Sequence, residues 1–246
     1  MKGQSSENTS VPRRCIFCDS TPVTKEHAWP AWLVRQYRKR PLQVSDARGH
    51  QRTTRGLDHS VRVVCANCNN GWMSDLETSA QPVVGGLVNG YQTALDAAQR
   101  AIVAAWAVKT AMVLERSLPR EAGVYYLAEE CAAFRVPPHE PPKDSFVRLA
   151  WYPRGSLLAG FRGSEIGTTT IAGRDWAPAR RCSLVIGQLA IRVESNRWKA
   201  TTGNDYLMWP DKLWSKSVHV WPLNYGDQHT WPTADFLSNE EARREW

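Results

Sequence analysis

Four cysteines fall into two Cys-x-x-Cys pairs, Cys15/Cys18 and Cys65/Cys68, with 46 residues between them. Each pair makes a tight turn that aims both sulfurs the same way, and two such turns supply four thiolates to one tetrahedral zinc ion. A site of this kind substitutes for the core that a segment of about sixty residues builds poorly alone. The pattern specifies a metal but no activity, since ribbons, fingers and catalytic modules all use it. Other residues of chemical interest flank the pairs. Glu26-His27 lies between them, and Asn69-Asn70 follows the second directly. His27 has an imidazole that titrates near neutrality and is suited to taking a proton from water.

The elements that position these residues can be sketched from pattern. Residues 1–12 are polar and read as a disordered lead with no apolar signal-peptide core. Pro22 to His27 reads as a short strand ending in Glu26-His27. Pro30 is suited to the first position of a helix that carries Arg35, Arg38, Lys39 and Arg40. Residues 43–58 are expected to be an exposed basic loop. Val61, Val63 and Val64 suggest a strand running into Cys65, and Asn69 to Thr78 a helix. Pro82, Gly85, Gly86 and Gly90 predict a break over 81–90. Beyond it, Tyr91 to Arg116 is the strongest helix, with an apolar stripe through Leu95, Ile102, Trp106 and Val113. Phe146–Tyr152, Leu157–Phe161 and Leu184–Val193 read as strands, and a short helix begins at Ser238, which caps it. The fold class is therefore α+β. A module over 13–80 is followed by a larger domain over 91–246, built from a long helix and an antiparallel sheet.

Charge separates the two parts. Residues 1–70 hold twelve Lys or Arg against five Asp or Glu, whereas residues 71–246 hold nineteen of each. The whole excess of +7 thus coincides with the cysteine segment, where it would attract phosphates by counterion release. Hydrophobic residues at 42% allow a real core, and no run of about eighteen apolar residues predicts a membrane span. Cytoplasmic residence is the expectation, with reduced cysteines. Cys131 and Cys182 read as small buried hydrophobes. Nine of twelve tryptophans lie beyond residue 100, several in Trp-Pro pairs (Trp209, Trp221, Trp231), which favours packing over base stacking. His50, His139, His219 and His229 read as surface or packing residues. Asp75 and Glu77 fit either a supporting role near the site or a solvated helix face.

The segment Thr24-Lys25-Glu26-His27-Ala28-Trp29-Pro30, together with Cys65-Ala66-Asn67-Cys68-Asn69-Asn70-Gly71-Trp72, resembles the HNH (ββα-metal, His-Me finger) endonucleases. Their pattern runs Asp-His-x-x-Pro, a strand, then Cys-x-x-Cys-His or Cys-x-x-Cys-Asn opening a helix. The whole chain is similar to a zinc-knuckle subtype with a tryptophan-rich C-terminal domain, common in bacteria and phages. The resemblance covers residues 13–78 and implies a zinc-bound ββα module.

What the resemblance implies is a metal-dependent nuclease acting on phosphodiester bonds in DNA. His27 would activate water. Glu26 and Asn69, with Asn70 as the weaker alternative, would hold a catalytic Mg2+ or Mn2+ beside the structural zinc on Cys15, Cys18, Cys65 and Cys68. Glu26 replaces the family's Asp, and on a regular strand it would face away from His27 unless the strand end is distorted. The family's middle Asn, which orients the histidine, falls where this chain has His59-Ser60. His59 or Asp58 takes that role, or the loop differs. Arg35, Arg38, Lys39, Arg52 and Arg55 would hold flanking phosphates of a nucleic acid, most simply double-stranded DNA. The alternative is a zinc-knuckle module that binds nucleic acid or protein without cutting. The neutral C-terminal part is a candidate for meeting a protein partner.

Overall fold

The computed structural model describes residues 13–38, 41–45, 51–55, 57, 60–116, 124–153, 159–163, 167–171, 174–196, 213, 215–223 and 229–244. The expected lead over 1–12, together with Lys39, Arg40, His50, Asp58, His59 and Trp209, lies outside the described residues. So do the side chains of Glu26, Arg52 and Arg55, whose backbone is described.

Strand β1 (Val23–His27) pairs antiparallel with β4 (Ser60–Cys65), from Val23 opposite Cys65 to His27 opposite Ser60. Helix α1 (Ala31–Tyr37) follows β1 directly, with Pro30 as its cap residue, and ends three residues short of the expected Arg40. The stretch expected as a loop instead forms a hairpin, β2 (Pro41–Ser45) with β3 (Gln51–Arg55). Alternating Leu42 and Val44 and the adjacent Thr53 and Thr54 give it enough β-branched and apolar character to pair. Beyond β4 the chain turns helical, with a kink at Gly71 whose backbone (φ -96°, ψ -120°) leaves the helical region: α2 (Ala66–Cys68), a π turn over Asn69–Met73, then α3 (Ser74–Val88).

Helix α3 therefore runs through Pro82, Gly85 and Gly86, where a break was expected. Burial overrides propensity here. Leu76, Ala80, Val84, Leu87 and Val88 recur at helical spacing and are all buried, and that gain outweighs the local cost of one Pro and two Gly. A short strand β5 (Thr93–Leu95) and helix α4 (Ala97–Glu115) come next. Asp96 fixes the start of α4 by a reciprocal cap: its carboxylate accepts the Gln99 backbone N–H, and the Gln99 side chain accepts that of Asp96. Among the described residues α4 alone is long and apolar enough to cross a membrane, but most of it is buried inside the protein.

Helix α5 (Ala128–Phe134) leads into an antiparallel sheet of β6 (Ser145–Trp151), β7 (Ala159–Gly163), β8 (Gly167–Ile171), β9 (Arg174–Ile186), β10 (Leu189–Asn196) and β11 (Ser217–Trp221). The strand order is β11-β6-β10-β9-β7, with β8 also on β9. What read as one strand over 184–193 is two, turned at Gly187-Gln188 with Gly187 at φ +56°. Strand β12 (His229–Trp231) pairs with β5, and α6 (Asn239–Arg244) closes the chain, capped by Ser238 as expected.

One face of the sheet meets α4 through Val147, Leu149, Leu184, Ile186, Leu189, Ile191 and Val193. The same continuous core reaches Phe17, Trp29, Val64 and Cys68 in the cysteine segment. The opposite face is mixed: Arg148 and Arg192 stand buried side by side in register, next to buried Ser183 and half-buried His219, while Ala150 and Ala190 pack with Leu213 and Leu237. Glu194 accepts from Arg181 at 2.7 Å, and burial pushes its carboxyl above the usual range despite Arg181 and Arg192. Burial likewise pulls Arg148 down to about 10, with Glu194 opposing.

On the α4 side, Glu115 is fully buried. It accepts from Arg180 Nη1 at 2.7 Å and from the backbone N–H groups of Tyr125 and Tyr126. Removing one partner leaves the other charge buried and uncompensated. Arg180→Ala should therefore lower stability by about 3–5 kcal/mol in urea unfolding, at the full cost of a broken buried pair. A change below about 1 kcal/mol, the range of exposed pairs, would refute that role.

Candidate functional site

The first thiolate turn is held by local bonds. Cys15 donates its N–H to the Ser20 carbonyl at 3.0 Å, and Asp19 donates to the Cys15 carbonyl at 2.9 Å. Asp19 takes φ 58°, a left-handed position that Asp tolerates, and its carboxylate meets Arg14 at 2.9 Å. Ile16 donates to the Val63 carbonyl at 3.0 Å and so stitches the turn to β4, which carries Cys65 at its end. Cys68 is one turn further, in α2.

The result is that the ligand atoms of Cys15, Cys18, Cys65 and Cys68 all lie within 4.8 Å of one another, with Cys18 and Cys65 sulfurs 3.5 Å apart. Four sulfurs about 2.3 Å from a central zinc would sit about 3.8 Å apart, so this cluster fits a tetrahedral metal centre. Among the described residues it is the group of His, Cys, Asp and Glu side chains placed to hold a metal ion.

The thiols differ in proton affinity. Burial pushes Cys18 up, but the hydroxyl and backbone of Ser20 and the adjoining Cys65 and Cys15 outweigh it and bring it to about 6. Burial dominates at Cys15 and Cys68 and raises both.

Trp72 is the hub of an aromatic cluster. Phe17 from the first turn meets it edge-on at 4.9 Å, His139 stacks on it at 5.0 Å, and Phe134 approaches at 5.9 Å. His139 Nδ1 is 3.0 Å from the Phe134 carbonyl oxygen, which holds the ring in place. The packing role expected of His139 is thus met, though its partner, the π turn beside the cysteines, has no signal in the sequence.

The remaining candidates are arranged by the same strands. Register slips between Thr24 and Glu26, so an irregularity sits immediately before Glu26-His27. His27 is exposed at the end of β1. Asn69 and Asn70 open the π turn right after Cys68, and the Asn69 amide donates to Asn70 Oδ1 at 3.3 Å. Arg35 and Arg38 are exposed on and just beyond α1, and Arg52 and Arg55 lie on β3. Glu77 forms an ion pair with buried Lys109 at 2.6 Å, and Asp75 is exposed in the first turn of α3. Cys131 and Cys182 are buried, as expected. In comparison with known proteins, no family model, no curated protein and no solved structure matches this chain.

Metal binding by thiols displaces protons, so the pH dependence has a definite sign. Cys18 has its proton affinity lowered by the fold. Its charged form adds stability in full above its ordinary value of 9.0, loses it as the pH falls, and adds none below about 6. The wild-type chain should carry about one zinc per molecule and release it on acidification, as protons compete for the thiolates. Cys65→Ser should reduce zinc content to about a tenth or less and lower the melting temperature. Metal analysis and thermal melts check both. Undiminished zinc in Cys65→Ser would remove this residue from the centre.

Proposed function

We propose that the chain is a metal-dependent endonuclease of the HNH kind that hydrolyses phosphodiester bonds in DNA. One observation carries the reading. His27 ends a strand that is paired antiparallel with β4, and β4 delivers Cys65, Cys68 and then Asn69 to the start of a helix. The order of strand, strand and helix over a four-cysteine centre is what the motif similarity leads one to expect. The strand irregularity at Glu26 adds support, because a regular strand would turn adjacent side chains to opposite faces.

In this reading His27 accepts the proton of the attacking water as the hydroxide forms and approaches phosphorus in line. Its exposure leaves it open to a bulky substrate. Glu26 and Asn69, with Asn70 in reserve, would hold a Mg2+ or Mn2+ ion, which when bound would supply charge neutralisation at the leaving oxygen. A neutral amide suits a hard ion that keeps most of its waters. The family's middle Asn, which orients the histidine, would be replaced by His59 or Asp58, or the loop differs. Arg35, Arg38, Lys39, Arg52 and Arg55 neutralise flanking phosphates, and the zinc on the four cysteines has a structural role only. We place the protein in the cytoplasm, with the C-terminal part open to a protein partner.

A non-catalytic zinc-knuckle binding module is the second reading. What favours it is the pairing of Asn69 with Asn70, two neutral amides where a charged or imidazole ligand would bind a metal more firmly. Plasmid nicking separates the two. Zinc-loaded wild type should nick supercoiled DNA when Mg2+ or Mn2+ is supplied and not when it is omitted. His27→Ala should be slower by about a hundredfold or more, the usual worth of a general base. Equal traces from wild type and His27→Ala would sink the nuclease reading and leave the binding module.

A further inference from the structure

We propose that the β9–β10 hairpin tip, Gly187-Gln188, is the seat that aims Arg35 and Arg38 at the phosphates of a nucleic-acid duplex, so that the C-terminal sheet forms part of the binding surface. The proposal rests on the nucleic-acid reading above but not on catalysis.

Helix α1 has only seven residues and no side-chain cap, and a helix so short does not hold itself in water. Its direction is set by what it packs on. Leu33 and Tyr37 are its buried residues, while Arg35 and Arg38 on either side of the helix end are exposed. Two contacts fix that end. Gln36 donates from Nε2 to Asn89 Oδ1 at 3.1 Å, which ties α1 to the end of α3. Tyr37 brings its hydroxyl against Gly187.

The tip is itself clamped. Gln188 donates its backbone N–H to the Val88 carbonyl at 2.9 Å and its side-chain amide to the Asn89 carbonyl at 3.3 Å. Its Oε1 accepts the Trp151 indole N–H at 2.9 Å. Gly187 has a left-handed backbone, and a β-carbon there would collide with the Tyr37 hydroxyl and the Val88 carbonyl. This close fit leaves the end of α1 one position relative to the sheet.

The same corner carries the rest of the basic segment. Strand β2 begins three residues after Arg38 and runs against β7, which starts at Ala159 opposite Ile186, next to the tip. Strand β3, with Arg52 and Arg55, pairs with β2. The chain's entire charge excess lies in residues 1–70, yet the described supports of this basic stretch, beyond the core under α1, come from α3, β7 and the β9–β10 tip. A polyanion with regularly spaced phosphates is the complementary partner.

The test is duplex binding by the full-length, zinc-loaded protein, followed by fluorescence anisotropy of a labelled DNA duplex over a KCl series. The double variant Arg35→Ala/Arg38→Ala should reduce the slope of log K against log salt by about 2, one for each lost phosphate contact. Gly187→Ala should weaken binding by about tenfold and flatten the slope in the wild-type background, and do neither once both arginines are gone. Tyr37→Phe, which keeps the ring and removes the hydroxyl at the tip, should move in the same direction by less, and it decides the matter if Gly187→Ala does not fold. The proposal is overturned if both variants bind like wild type, if they weaken binding equally without the arginines, or if wild type does not bind the duplex. Binding with the expected coupling but no cleavage would overturn the nuclease reading alone.

Discussion

Between Cys18 and Cys65 the chain leaves the cysteine cluster, makes β1, α1 and a hairpin, and returns along β4 to bring the second sulfur pair within 4.8 Å of the first. Everything that follows inherits this closure. It fixes the end of β4, hence the start of the helical run through α2 and the π turn, hence the direction of α3 into the core. Four thiolates this close would repel one another without a cation between them, so a metal ion held there would be both the fastener and the reason the geometry is tolerated. Trp72 extends its influence. The ring is packed between Phe17 of the first turn and His139 and Phe134 of the second part. The cysteine segment is thus in direct aromatic contact with side chains far along the sequence.

The second half is organised by a different constraint, the need to bury charge. Glu115, Arg180, Arg192, Arg148, Glu194 and Lys109 are all inside. Counting residues 71–246 as electrically neutral conceals this, because composition carries no record of which charges share a face. Only the strand register brings Arg148 beside Arg192 and Arg181 beside Glu194. The result is a sheet with buried charge on both faces, the Arg180–Glu115 pair on the side toward α4 and Arg148, Arg192 and Glu194 on the other.

What could be read from the sequence was local. The two Cys-x-x-Cys turns, the Ser238 cap and the apolar run through α4 depend on neighbours within a few positions and could be read, although the helix starts at Ala97 rather than Tyr91 and Leu95 belongs to β5. Features settled by distant packing could not be read. Pro82, Gly85 and Gly86 signal a break, and only the burial of Val84, Leu87 and Val88 shows why the helix persists. Gly187 sits within an apolar run that reads as one strand, and the turn is evident only when Val88 and Tyr37 are seen against it. For the candidate site, residue types and order were legible at Glu26-His27 and Asn69-Asn70. The register shift before Glu26 and the side-chain pairing of the two amides were not, since the one belongs to strand pairing and the other to rotamer choice, and residue names encode neither.

Helix α3 is a single rod that begins beside the cysteines and ends under the hairpin tip, with apolar residues on both sides of residue 80. This has an evolutionary meaning. A recombination crossover placed anywhere along the rod would graft a cysteine-bearing head onto a body with the wrong apolar stripe, and the hybrid would expose Val84, Leu87 and Val88 or bury mismatched partners. The head is therefore not a portable cassette: grafted elsewhere, it would need a body cut to the same apolar stripe.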